Sequence, residues 1–246
     1  MRKIIIAWQF LTIIPITDRI ETTPEDLGRS MAYFPAVGGI IGVILVISYM
    51  FLDRFFPSSI VDIISILILA VITRGIHLDG FADTIDGIVG GIDKRDALSI
   101  MRDGRIGPMA VIGLILLLGL KYLSLYNLPV SLKLKGLLLM PMAGRWTMAA
   151  LASVSRYARE EEGLGRPFTD NAAMNEVITA TIIIAVTGIF LFGLKSIFIL
   201  MFLGLITFLM KLYFDRRFGG ITGDILGAVN EINEAALLLI LIIIAY

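Results

Sequence analysis

Seven mostly apolar runs, at roughly 31–52, 60–76, 106–126, 136–153, 177–194, 196–214 and 225–246, dominate this chain of 246 residues. A bilayer's hydrocarbon core takes about 17–25 such residues per helical span. Backbone inside it must satisfy its own hydrogen bonds, which leaves helices as the natural solution for runs of this length. The composition agrees: 57% of residues are hydrophobic and the mean hydropathy is +0.90, against about 45–50% apolar in a soluble domain. The expected fold is all-α, a polytopic transmembrane helical bundle of about seven spans forming one domain over 1–246. The segment 4–17 is too short to span and ends at Pro15, so an interfacial or re-entrant helix is expected there.

The charged links between spans are unevenly shared. Segments 18–30, 77–105, 154–176 and 215–224 fall on one side and hold eleven Lys and Arg, Arg19 among them; the opposite links hold four. The positive-inside rule places the richer side in the cytoplasm, giving a multi-pass protein of the cell membrane. Every cluster able to do chemistry then faces one compartment, which favours an enzyme at one face over a pathway through the bilayer. Absence of an internal repeat points the same way, against an inverted-repeat transporter. With 21 basic and 21 acidic residues there is no electrostatic reason for a nucleic-acid partner. No cysteine and a single histidine exclude disulfides, thiolate sites and multi-histidine metal centres. No small-residue cleavage site follows the first apolar run, so no removed signal peptide is expected.

Three constellations interrupt the apolar pattern. In the first, Asp79, Asp83 and Asp86 stand at i, i+4 and i+7, flanked by Gly80 and Gly87. On a helix they fall within roughly 60° of one another. Like charges on one stripe beside an apolar segment repel, and a divalent cation would relieve them; Mg²⁺ needs only one or two protein carboxylates when phosphates complete its shell. A solvated acidic loop is the bland alternative. The second is Arg95, Arg102 and Arg105 with Asp103; guanidinium forks suit phosphate, while salt bridging and topology would equally explain them. The third is Arg216-Arg217-Phe218-Gly219-Gly220-Ile221-Thr222-Gly223-Asp224, a plausible anion cradle ahead of the last span. Asp224 reads equally as a helix cap or a ligand. Glu231 and Glu234 lie inside that span, either touching substrate or paired with Arg145 or Arg74. His77, beside Asp79, reads as a hydrogen-bonding support.

These runs carry a resemblance. His77 to Gly87, Ile100-Met101-Arg102-Asp103-Gly104-Arg105-Ile106-Gly107, and Gly219 to Ala228 with Glu231 and Glu234 resemble the cobalamin synthase (adenosylcobinamide-GDP ribazoletransferase) family. Phe10 to Pro15 and Tyr33 to Gly39 resemble its N-terminal signature. The resemblance implies a Mg²⁺-dependent membrane transferase joining α-ribazole, or its 5′-phosphate, to adenosylcobinamide-GDP with release of GMP. It implies Asp79, Asp83 and Asp86 for metal, Asp103 or Asp224 completing the site or serving as base, and Arg102, Arg105 and Arg217 for phosphate, with His77, Thr222 and Glu231 near substrate. A homo-oligomer is left open. Asp83-Thr84-Ile85-Asp86-Gly87 also fits the opening of the CDP-alcohol phosphotransferase motif, but Gly90-Gly91 departs from its continuation, which weighs against a phospholipid synthase. An ion-coupled transporter using Asp79, Asp83 and Glu231 is the reading from another class.

Overall fold

A computed structural model of the chain describes residues 2–17 and 20–245; Arg19, counted above among the loop charges, lies outside them. The described residues form helices and no strand. In chain order the helices are α1 (Arg2–Leu11), α2 (Pro24–Ser30), α3 (Phe34–Leu52), α4 (Ser58–Ile72), α5 (Ile76–Gly90), α6 (Lys94–Ile100), α7 (Pro108–Asn127), α8 (Val130–Val154), α9 (Arg166–Asn171), α10 (Met174–Phe192), α11 (Lys195–Phe218) and α12 (Gly223–Ala245). Six stretches are long and apolar enough to cross a membrane: α2 running through a 3₁₀ turn into α3, then α7, α8, α10, α11 and α12; α4 and α5 make a seventh if counted as one broken span. α1 has 10 residues, about 15 Å at helical rise, too short for a bilayer, as expected.

α8 and α12 form the centre, and their bounds explain why. Residues from Gly136 to Ala152 of α8 are almost all buried, as are most residues of α12 up to Leu241. Small residues let the backbones meet: a Cβ on Gly38 or Gly42 of α3 would lie 2.5 Å from the Pro141 carbonyl oxygen or 2.4 Å from that of Leu138. α10 and α11 lie at the periphery, and Val186, Phe190, Phe198 and Met201 point outward as lipid-facing surface.

The expected span 60–76 is where the fold departs from hydropathy. α4 stops at Ile72 and the chain turns by 90° into α5. The turn is a Schellman-type stop: Gly75 N–H donates to the Ala70 carbonyl at 2.8 Å and Arg74 N–H to that of Val71 at 3.1 Å. Arg74 and Gly75 both take left-handed backbone, with φ of +55° and +65°. Such backbone costs an L-residue roughly 1–2 kcal/mol, so glycine is the usual occupant of the place Arg74 holds. The acidic motif is consequently not a loop after a span but a helix packed against α12 and α7.

The four charge-rich segments do gather at one end of the bundle. Arg102 pairs with Glu161, and Arg217 donates to the Gly91 carbonyl at 2.5 Å. Ile221 and the 156–158 backbone exchange hydrogen bonds of 2.8 and 2.9 Å, and Gly28 lies against Asn171. At the other end Lys133 is buried with Asp62 at 2.9 Å and the Tyr49 hydroxyl at 3.4 Å.

Candidate active site

The carboxylate stripe forms on α5 because the helix runs unbroken through it. Asp79, Asp83 and Asp86 then share one face, while Phe81, Ala82 and Thr84 are buried on the others. Gly80 sets the distance to the next element. A Cβ there would lie 2.7 Å from the Asp224 carbonyl oxygen, so α5 touches the first turn of α12 backbone to backbone. That contact brings Asp224 to the stripe. Asp83 is repelled by Asp224, Asp79 and Asp86 and attracted by Arg159.

The four carboxylates are not equivalent. Asp86 accepts from Gly107 N–H at 2.5 Å and Ala110 N–H at 3.0 Å, one bond to each oxygen, and so caps the start of α7 from another helix. Asp224 accepts from Arg159 Nη2 at 3.0 Å and from the Thr222 hydroxyl at 3.2 Å. Thr222 in turn accepts from Ile225 N–H at 3.3 Å, so the hydroxyl rather than Asp224 caps α12. The carboxylates of Asp79 and Asp83 have no hydrogen-bond or ion-pair partner among the described residues; Asp79 is exposed and Asp83 half-buried. The free carboxylates of the site are therefore two.

No three His, Asp or Glu side chains among the described residues stand close enough to hold a metal ion unaided. Mg²⁺ asks for less, one or two carboxylates with substrate phosphate oxygens filling the shell. Two unpaired, mutually repelling carboxylates fit that demand. A complete protein cage does not form, with Asp86 committed to α7.

The remaining expected residues divide by place. Thr222 belongs to the site through Asp224. Arg217 donates to the Gly91 carbonyl and stacks over Phe218, fastening α11 to the segment after α5. Arg102 pairs with Glu161, and Arg105 with Asp103, at the exposed end of the 101–107 loop. Asp103 thus faces Arg105 rather than the stripe, and its hydrogen bond holds the Arg105 guanidinium above its ordinary pKa. His77 is buried at the start of α5 with its carbonyl against Gly227, and its Nε2 has no hydrogen-bond partner among the described residues.

Glu231 is turned away from the open site. It is buried and accepts from Lys121 Nζ at 2.6 Å. Glu234 accepts from Lys121 at 2.7 Å, Arg145 Nη1 at 2.6 Å and Asn230 Nδ2 at 3.1 Å. Two cations and two carboxylates thus close on one another inside the bundle, tying α7 and α8 to α12. Of the two arginines weighed as their partners, Arg145 is one and Arg74 is not. Sequence reasoning passed over Lys121, whose signal was a lone lysine inside an apolar run. It also counted Arg159 as a topology charge only; its i, i+3 spacing from Arg156 mirrors Arg102 and Arg105 but does not point to Asp224.

Fold and site together define a multi-pass helical membrane protein whose charge-rich segments gather at one end, around two carboxylates without partners among the described residues. Comparison with known proteins is more specific. The model of the cobalamin-5-phosphate synthase family matches residues 3–242, and the chain belongs to that family. It is 38% identical over 240 residues to the adenosylcobinamide-GDP ribazoletransferase of Acetivibrio thermocellus, covering 98% of this chain and 97% of the relative. Proteins of the same description from Clostridium acetobutylicum and Geotalea daltonii are each 39% identical, covering 100% and 99% of this chain and 97% and 98% of their own. No solved structure matches the chain.

Proposed function

We propose that this protein joins α-ribazole or its 5′-phosphate to adenosylcobinamide-GDP, releasing GMP and forming adenosylcobalamin or its 5′-phosphate, with Mg²⁺ and at the cytoplasmic face of the cell membrane. The observation that carries the reading is the pair of unpartnered carboxylates, Asp79 and Asp83, set beside Asp224 and Arg159 in a chain of this family. A pyrophosphate brought to this end meets like charge unless a cation accompanies it. Mg²⁺ held by Asp83 with Asp79 would supply charge neutralisation at the reacting phosphate.

The protein's own groups have three tasks. The first is to orient the nucleoside hydroxyl, whose oxygen forms the new bond to the phosphorus next to cobinamide as the bond to the GMP oxygen breaks. The second is to take that hydroxyl's proton, a role for a free carboxylate of the stripe. The third is to stabilise charge on departing GMP; Arg159 lies beside the stripe, and Arg102 and Arg105 sit on an exposed loop at the same end, in surface pairs that are weak and readily exchanged.

The test is direct. Purified protein with Mg²⁺ and both substrates should yield GMP and a cobamide in equal amounts, and removing Mg²⁺ with chelator should stop both without lowering the melting temperature. No GMP from both substrates, or substrate accumulation inside proteoliposomes without GMP, would reject the transferase reading.

A further inference from the structure

At the α4–α5 bend a cavity of about 590 Å³ opens between α5 and the start of α7. Leu78, Ile106 and Leu114 give it apolar walls, and its charged lining groups are Arg74 and Asp79. The reaction described above assigns no role to Arg74, yet the backbone holds it in the left-handed conformation where glycine would be unstrained. Among the described residues its side chain makes one hydrogen bond, a long one, Nη2 to the Gln9 carbonyl at 3.4 Å on an exposed surface. Nothing in the turn's own backbone accounts for an arginine there. The guanidinium at the cavity wall does, if it has a ligand.

Resting on the proposed function, we propose that this cavity is the subsite of the acceptor nucleotide, with the apolar bicyclic base against Leu78, Ile106 and Leu114, and Arg74 binding the 5′-phosphate. The volume suits the acceptor better than the other substrate. A phosphorylated nucleoside is a ligand of about two dozen heavy atoms, suited to a cavity in the roughly 300–1,000 Å³ class, whereas a corrinoid carrying GDP is several times larger. Charge fixes which way round it lies. The 5′-phosphate is attracted to the Arg74 fork, while Asp79 is committed with Asp83 to the cation that takes the pyrophosphate, so the phosphate takes the Arg74 end and leaves the neutral ribose hydroxyls toward Asp79. Asp79 is one helical turn from Asp83, so this orientation delivers the attacking hydroxyl to the carboxylate stripe. The same arrangement makes Arg74 the residue that distinguishes α-ribazole 5′-phosphate from α-ribazole. A lipid phosphate could also satisfy the guanidinium, and the experiment separates the two sources.

Equilibrium dialysis of the full chain in detergent, with each nucleoside form alone, reads binding without turnover. Wild type should bind the 5′-phosphate at least about tenfold tighter than α-ribazole, or roughly 1.4 kcal/mol. Arg74→Gly should erase that preference without lowering the melting temperature, since glycine suits the backbone. Leu114→Trp, which fills the cavity, should weaken both forms at least about tenfold and raise their KM more than that of adenosylcobinamide-GDP. A 5′-phosphate preference that survives Arg74→Gly, or wild-type nucleotide binding in Leu114→Trp, overturns the subsite. So does competition by phosphatidylglycerol micelles, but not by nucleotide, for a site that Arg74→Gly abolishes. Nucleotide binding with these properties but no GMP release would uphold the subsite and reject the transferase reading.

Discussion

Replacing Glu234 by glutamine removes one negative charge from the most enclosed polar cluster of the bundle. Lys121, Arg145, Glu231 and Glu234 sum to zero charge, and each is at most 4% exposed. Glu234 holds both cations, at 2.6 Å from Arg145 and 2.7 Å from Lys121. Charge-assisted hydrogen bonds contribute about 1.5–3 kcal/mol each, and breaking a buried pair from one side costs about 3–5 kcal/mol because the partner charge stays behind. Glu234→Gln should therefore lose about 3–5 kcal/mol, a large share of the roughly 5–15 kcal/mol that holds a domain together. Glu231→Gln should lose less, about 1.5–3 kcal/mol, because Lys121 keeps Glu234. Removing a matched pair should recover much of the loss: Arg145→Gln with Glu234→Gln leaves Lys121 and Glu231 neutralising each other. Among the described residues Arg145 Nε and Nη2 have no hydrogen-bond partner, so its charge is the easier one to give up. Reversible unfolding in mixed micelles with increasing dodecyl sulfate measures all four proteins. A Glu234→Gln cost no greater than that of Glu231→Gln, or a double variant no more stable than Glu234→Gln alone, would refute this charge balance.

Three further outcomes follow from the site. Asp83→Ala should abolish GMP release and leave stability unchanged or higher, since it relieves repulsion. Asp86→Ala should cost about 0.5–2 kcal/mol by uncapping α7, so equal melting temperatures for the two would contradict their assigned roles. Gly80→Ala should lower kcat at least tenfold, about 1.4 kcal/mol, because its methyl group would push α5 off the Asp224 backbone; wild-type turnover would show that this separation does not matter. Single cysteines at Ser99 and Thr169 should label from the same side of the membrane and one at Ser58 from the other, and any mixed result would break the topology.

The helical class and most spans are legible because hydropathy and helix length are properties of a continuous stretch. The acidic stripe is legible for the same reason: Asp79, Asp83 and Asp86 repeat with the period of the helix that carries them. The bend at Thr73 to Gly75 was not, since arginine is an uncommon occupant of a left-handed stop and the apolar run reads straight through it. Partner choice was also hidden. Asp86 capping α7, Asp62 holding Lys133, and Lys121 holding Glu231 and Glu234 join residues 21 to 113 positions apart. Nothing local decides between such partners. Sequence suggested that Glu234 needed a cation and offered Arg145 correctly, but only packing could bring in Lys121.

The early stop of α4 also has a consequence for the membrane itself. Its 15 residues reach about 22 Å, some 8 Å short of a typical hydrocarbon slab. Either the bilayer thins around this helix or Arg74 and the first turn of α5 sit below the headgroup plane, in a water-filled dent. On the proposed subsite, a polar nucleotide then reaches the carboxylates only through lipid that is thinned or dented at this helix. The acyl-chain length of the surrounding lipid then becomes a determinant of turnover, and thick bilayers should slow the reaction.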